Sequence, residues 1–125
     1  MRNLPDVINT VEELNEILSR PSEALVEYMG ELDGDLMILG AGGKIGPTMA
    51  RMAKRAVDAA GVDKKVIAVD VVDLPELAAM GIETHTCDML DLDAVAKLPD
   101  ATNIIYMVGR KFGSTGSEHL TWAIN

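Results

Sequence analysis

The stretch Asp35-Leu36-Met37-Ile38-Leu39-Gly40-Ala41-Gly42-Gly43-Lys44-Ile45-Gly46-Pro47 constrains this chain more than any other. An apolar run of strand type ends in a glycine-rich turn, and a helical pattern begins at once. Elements in that order make a place for a pyrophosphate. The first N–H groups of a helix point outward with no partner inside it, and the helix dipole favours negative charge there. The turn holds Gly40, Gly42, Gly43 and Gly46. A strict G-x-G-x-x-G would need glycine where Ile45 stands. The spacing that fits is G-x-x-G-x-x-G, through Gly40, Gly43 and Gly46. It meets the same demands: a tight turn, an approach to phosphate free of side chains, and close helix–strand contact. A P-loop would require glycine at 38 and Ser or Thr at 45 to hold magnesium, and both positions are isoleucine. The competing reading is a turn that serves structure alone.

Strand and helix patterns alternate from residue 35 onward. Asp35 to Leu39 is continuously apolar after its first residue, as in a parallel-sheet strand buried on both faces. In the helix that follows, Met49, Met52, Ala53, Ala56, Val57 and Ala60 share one face. Arg51, Lys54, Arg55 and Asp58 share the other, and Gly61 stops the helix. Val66 to Val69 is a second strand ending at Asp70. Leu74 to Met80 is a helix, Ile82 to Cys87 a more polar strand, and Asp91 to Leu98 a further helix. Asn103 to Val108 is the fourth strand. A loop from Gly109 to Ser117 leads to a helix near Glu118.

The alternation predicts parallel βαβ units with right-handed crossovers. The expected fold is α/β, a partial Rossmann fold with a parallel sheet of about four strands, order 3-2-1-4, flanked by helices. Residues 35–125 form this truncated dinucleotide-binding domain, and 1–34 an N-terminal two-helix extension. In the extension, residues 1–10 are an irregular lead-in. Thr10 and Glu13 read as a capping box ahead of Val11, Leu14 and Leu18. Pro21 opens a second helix with the stripe Leu25, Tyr28, Met29, Leu32. Two roles stay open for these helices: packing against the sheet or a partner subunit, and gating a substrate.

Charge and composition exclude several function classes. The formal net charge of −9 lacks the basic face that nucleic acid requires, and it disfavours anionic membranes. It does not oppose an anionic cofactor held by backbone groups. The single cysteine, Cys87, allows no intrachain disulfide and suits a reducing compartment. No apolar run reaches transmembrane length, and the N-terminus lacks a signal-peptide core, so a cytoplasmic location is expected. His85 and His119 have no partners at metal-ligand spacing, and Ser114, Thr115 and Ser117 lack a local base. The carboxylate of Asp88 beside Cys87 opposes a reactive thiolate.

Asp70 strengthens the dinucleotide reading. It ends the second strand 24 residues beyond Gly46. A carboxylate there accepts both ribose hydroxyls of an adenosine and repels a 2′-phosphate, which favours NAD over NADP. The alternatives are a solvated aspartate at a strand end, or Asp73 in the same role if the strand runs longer. Asp88, at the end of the third strand, can accept from an adenine amino group with Met89 packed on the ring. Its alternative is a capping aspartate in a loop.

Gly40-Ala-Gly-Gly-Lys-Ile-Gly46, Asp70, Cys87-Asp88-Met89-Leu90 and Tyr106-Met107-Val108-Gly109 together resemble the first half of an extended short-chain dehydrogenase/reductase. This is the NAD-dependent epimerase/dehydratase family, and the resemblance spans residues 35–125. It implies NAD across the strand ends. Gly40, Gly43, Lys44, Ile45 and Gly46 would meet the pyrophosphate, Asp70 the adenine ribose, and Asp88 and Met89 the adenine. Met107, Val108 and Gly109 would line the nicotinamide-side ribose, where the family carries a small-residue run.

The chain departs from the family at the catalytic Tyr-x-x-x-Lys. Its two tyrosines, Tyr28 and Tyr106, are followed four residues on by Leu32 and Arg110. In the family that Tyr exchanges a proton with the substrate carbinol and the Lys lowers its pKa. The chain is therefore expected to be the N-terminal part of a longer enzyme that acts on a small-molecule substrate, with the 111–117 loop facing it. The alternative is a non-catalytic nucleotide-sensing or interaction module with the same fold. A fourth strand with no fifth beside it leaves an open edge, and self-association is expected. The isolated chain should show no dehydrogenase turnover on nucleotide sugars or other secondary alcohols, followed as NADH absorbance. Measurable turnover would place catalytic groups within these residues.

Overall fold

Leu36-Met37-Ile38-Leu39 is wholly apolar, and the computed structural model, which describes residues 3–110 and 115–125, buries all four as β1 (Leu36–Leu39). On one side β1 pairs in parallel with β2 (Val66–Asp70), which pairs with β3 (Glu83–Thr86). On the other it pairs with β4 (Asn103–Tyr106). The strand order is β3-β2-β1-β4, the sheet of a partial Rossmann-like α/β fold.

The crossover helices are α3 (Gly46–Ala60), α4 (Pro75–Ala78) and α5 (Leu92–Val95). The first two crossovers step across the sheet in one direction and the third returns. Uniform handedness therefore sets α3 and α4 on one face and α5 on the other. The side chains divide accordingly. Leu36, Ile38, Val66 and Ala68 pack with Ala50, Ala53, Val57 and Leu77. Met37, Leu39, Ile67 and Val69 pack with Ala94 and Val95.

The N-terminal helices, α1 (Val11–Leu18) and α2 (Glu23–Glu31), join the first of these layers. Met29 is buried in the α3-side core, whereas α1 buries none of its own residues. Polar ties hold both helices in place. The Arg55 guanidinium of α3 donates to the Glu16 carbonyl at 2.7 Å, Ser19 Oγ at 2.9 Å and Glu16 Oε1 at 3.0 Å. Lys64 Nζ donates to the Met29 carbonyl at 2.7 Å and to the Leu32 carbonyl, where α2 ends. The charged face of α3 thus anchors its neighbours: Arg51 reaches Glu76 in the first turn of α4 in the same way.

Several elements differ in extent from their sequence patterns. β4 stops at Tyr106 rather than Val108, because β1, its only partner among the described residues, ends opposite at Leu39. β3 spans Glu83–Thr86 rather than 82–87, since Thr86 is opposite Asp70, the last residue of β2. Pro21 does not open α2. Ser22 caps it instead, with Oγ accepting from the Leu25 N–H at 3.2 Å. Thr10 does cap α1, and the Glu13 carboxylate reaches back to the Asn9 N–H. On α3 the fully buried line is Gly46, Ala50, Ala53, Ala56 and Val57, while Met49, Met52 and Ala60 are half-buried. Small residues bring α3 onto the sheet, and the longer methionines lie to the α2 side. No helix among the described residues is long and apolar enough to cross a membrane.

The Arg20 and Arg55 guanidiniums hold the Glu16 carboxyl down to about 2, from an ordinary 4.5. A folded value below the unfolded one means that the tie is intact above pH 4.5 and is lost as pH falls through about 2. Acidification across that window should therefore shift the NMR resonances of α1 before the sheet melts. Glu16→Gln should abolish this step, and an unchanged titration in that variant would sever α1 docking from Glu16.

Candidate functional site

The turn after β1 brings backbone to backbone. Gly40 takes φ +83°, and a Cβ there would lie 2.8 Å from the main chain of Met107 and Val108. Its N–H donates to the Val69 carbonyl at 2.8 Å. Gly42 donates its N–H to Asp70 Oδ2 at 2.8 Å, and its Cβ would stand 2.9 Å from Asp70 Cγ. At Gly46 a Cβ would collide with the backbone of Ala41, because α3 starts directly against the end of β1. The chain's own packing therefore accounts for three of the four glycines. Gly43 is different: its φ is outside the left-handed region and the nearest atom to a Cβ is the Gly40 carbonyl oxygen, at an ordinary 3.6 Å. Nothing in the fold requires glycine there.

Beyond Gly43 the first turn of α3 has no side-chain cap, and Ile45, at the cap position, is 65% exposed. The N–H groups of Lys44, Ile45 and Gly46 find no acceptor among the described residues. These are the donors a helix presents to an anion.

Asp70 sits over the turn because β2 is paired to β1. Besides Gly42, its carboxylate accepts from the N–H groups of Val71 at 2.8 Å and Val72 at 3.4 Å through Oδ1. Three backbone donors fix its orientation, and the lone pairs they leave remain available. β2 ends at this residue, so Asp73 does not replace it. Asp73 Oδ1 instead accepts from Thr86 Oγ1 at 2.9 Å.

An open cavity of about 340 Å³ lies at the C-terminal ends of the strands, where ligands bind in open parallel sheets. Of the residues singled out in the sequence, it brings together Gly40, Gly43, Asp70, Met89, Met107, Val108 and Gly109. Gly46 is buried against Ala41, and the exposed Lys44 and Ile45 stand outside the lining. Asp88 is also exposed outside it, with Oδ1 capping the Leu90 N–H at 2.9 Å. Residues 111–114 of the loop expected to face substrate lie outside the described residues.

The cavity also takes in Gly42, Val71, Val72, Cys87 and Ile124. Gly42 falls between the spaced glycines, and its role follows only once β2 is placed beside β1. Val71 and Val72, 56% and 54% exposed, were legible as the two apolar residues directly after the strand-end acid. Ile124 comes from α6 (Glu118–Ile124), whose last carbonyl accepts from Tyr106 Oη at 2.7 Å. Burial pushes the Cys87 thiol up, and Asp91 and Asp88 add to the shift. Among the described residues no group of three His, Cys, Asp or Glu side chains could hold a metal ion.

No family model, curated protein or solved structure matches this chain.

The four glycines divide by experiment. Gly46→Ala forces α3 away from Ala41 and should cost about 1–3 kcal/mol of stability, read as a fall in the thermal midpoint. Gly43→Ala should leave that midpoint almost unchanged. Equal destabilisation by both would show that Gly43 also serves the fold.

Proposed function

We propose that the chain is the NAD(H)-binding portion of an NAD-dependent epimerase/dehydratase-type oxidoreductase. Gly43 carries this reading. It is the one glycine of the turn that the fold does not need, it borders the cavity, and it stands next to the N–H groups of Lys44, Ile45 and Gly46, which have no acceptor among the described residues. A phosphate held by those donors requires a neighbour without a side chain.

In this reading the turn holds the pyrophosphate and Asp70 accepts from the adenine ribose. Val71, Val72 and Met89 give apolar surface to the adenine, and Met107, Val108 and Gly109 face the nicotinamide end. A 2′-phosphate would meet the Asp70 carboxylate, so NADP is disfavoured. The nicotinamide supplies hydride transfer, and the chain supplies binding and orientation. Neither tyrosine offers the family's proton-transfer pair, and Tyr106 already donates to the Ile124 carbonyl. The groups that handle the small-molecule substrate thus belong to another part of the enzyme. The single buried thiol of Cys87 fits a reducing, cytoplasmic setting.

Calorimetric titration with NAD and NADP tests this reading. NAD should bind about tenfold more tightly or better, a difference of about 1.4 kcal/mol. Asp70→Asn should narrow that gap, and Gly43→Ala should weaken both ligands in a folded protein. Equal or reversed preference in the unaltered chain would overturn the role given to Asp70.

A further inference from the structure

The turn between β1 and α3 uses its backbone N–H groups in two sets. Those of Gly40, Ala41 and Gly42 point back at the end of β2. Gly40 and Ala41 donate to the Val69 carbonyl at 2.8 Å and 3.1 Å, and Gly42 donates to Asp70 Oδ2 at 2.8 Å. Those of Lys44, Ile45 and Gly46, with no acceptor among the described residues, are the set left for an anion. Gly42 borders the cavity, yet its N–H is committed to the chain's own carboxylate. Its missing side chain therefore needs a reason other than the approach of a phosphate.

Backbone conformation does not supply that reason. The φ of Gly42 is outside the left-handed region, so an L-residue fits its main chain. Space does supply it. A Cβ would stand 2.9 Å from Asp70 Cγ, 3.0 Å from Asp70 Oδ2 and 3.2 Å from Leu74 Cδ2. Leu74 packs against the α3-side core at the entry to α4, so its retreat is blocked. The Asp70 carboxylate is the movable group, free to turn into another staggered rotamer. A side chain at 42 thus takes from that carboxylate its seat on the turn.

The seat decides how well the site rejects a wrong ligand. A carboxylate repels a 2′-phosphate only while it is kept from swinging away; an aspartate held by nothing would rotate into water and let the second charge in. Discrimination of this kind is repulsive, and it is as strong as the repelling group is fixed. Two of the three donors to Asp70, the N–H groups of Val71 and Val72, belong to its own loop and reach only Oδ1. Gly42 is the donor that comes from a separate segment, 28 residues away, and it takes Oδ2. It alone ties the acid to the turn beside which a dinucleotide would lie.

We propose that Gly42 is a positioning residue for cofactor selectivity. By leaving room for Asp70 and donating to Oδ2, it pins the carboxylate where a 2′-phosphate would have to sit, so the cavity takes dinucleotides with a free 2′-hydroxyl. The proposal rests on the dinucleotide reading and makes a separate claim about the same site, that selectivity resides in the pinning as well as in the acid. The glycines at 42, 43 and 46 then serve three ends. Gly46 lets α3 meet β1, Gly43 lets a phosphate reach the helix, and Gly42 seats the acid.

Calorimetric titration of the Gly42→Ala chain with NAD and NADP, beside the unaltered chain, tests this role. The ratio of NAD to NADP affinity should fall about tenfold, whereas Gly43→Ala should lower both affinities and keep their ratio. A double-mutant cycle separates loss of the seat from plain obstruction. In an Asp70→Asn background, Gly42→Ala should change the ratio no further; a Cβ that merely crowds the ligand would add its own effect and overturn the proposal. An unchanged ratio in folded Gly42→Ala, with NAD still preferred by the unaltered chain, would overturn this proposal alone. No NAD preference in the unaltered chain would overturn the role of Asp70 and this proposal with it. If Gly42→Ala fails to fold, amide hydrogen exchange in the unaltered chain decides. The Gly42 N–H should stay as protected with NAD bound as without it. Loss of that protection would show the carboxylate leaving Gly42 for the ribose, and the proposal would fall.

Discussion

The structure depends on how closely α3 approaches the end of β1. The chain leaves Leu39 and begins its longest helix at Gly46, with no room for a Cβ between that residue and the backbone of Ala41. A helix held so near the sheet must show it a small-residue face, and Ala50, Ala53 and Ala56 provide one. The shallow layer leaves space beside it that α2 fills through Met29. The same approach aims the first turn of α3 across the strand ends, so its uncapped N–H groups open there rather than into the core.

Fold and site share one polar contact, between the Gly42 N–H and Asp70 Oδ2. Parallel pairing of β2 with β1 delivers the carboxylate to the turn. Three backbone donors then fix it in place, so orienting it needs no further side chain. An acid held this way can meet a ligand without reorganising, which is how a shallow, mostly apolar cavity gains a defined polar end.

Much of this was legible in the sequence, for identifiable reasons. Two fully apolar strands, a helix of small residues and a stop at Gly61 each state a local preference that the packing supports. Gly61 takes φ +67° as the C-cap of α3. The extents of β3 and β4 were not legible, because a strand lasts only as long as its neighbour, and the neighbour is set by topology. Pro21 misplaced the start of α2 because two capping signals stood side by side and the Ser22 hydroxyl prevailed. Spacing singled out Gly40, Gly43 and Asp70, which line the strand-end cavity, but Gly42 needed the cross-strand contact, and Ile124 came from a helix far along the chain. For Asp88, sequence left two roles open, and its Leu90 contact is the capping one.

The polar ties of α2 bear on how the molecule is made. The carbonyls that end this helix, at Met29 and Leu32, are satisfied by Lys64, and the Asp33 carbonyl just after it by Asn103. Synthesis delivers a chain N-terminus first, so these acceptors leave the ribosome well before their donors. Until Lys64 emerges, the end of α2 has only water for a partner, and Met29 has no α3 to pack against. The docked position of α2 therefore waits on residues that emerge later, and it registers that β1, α3 and β4 have come together.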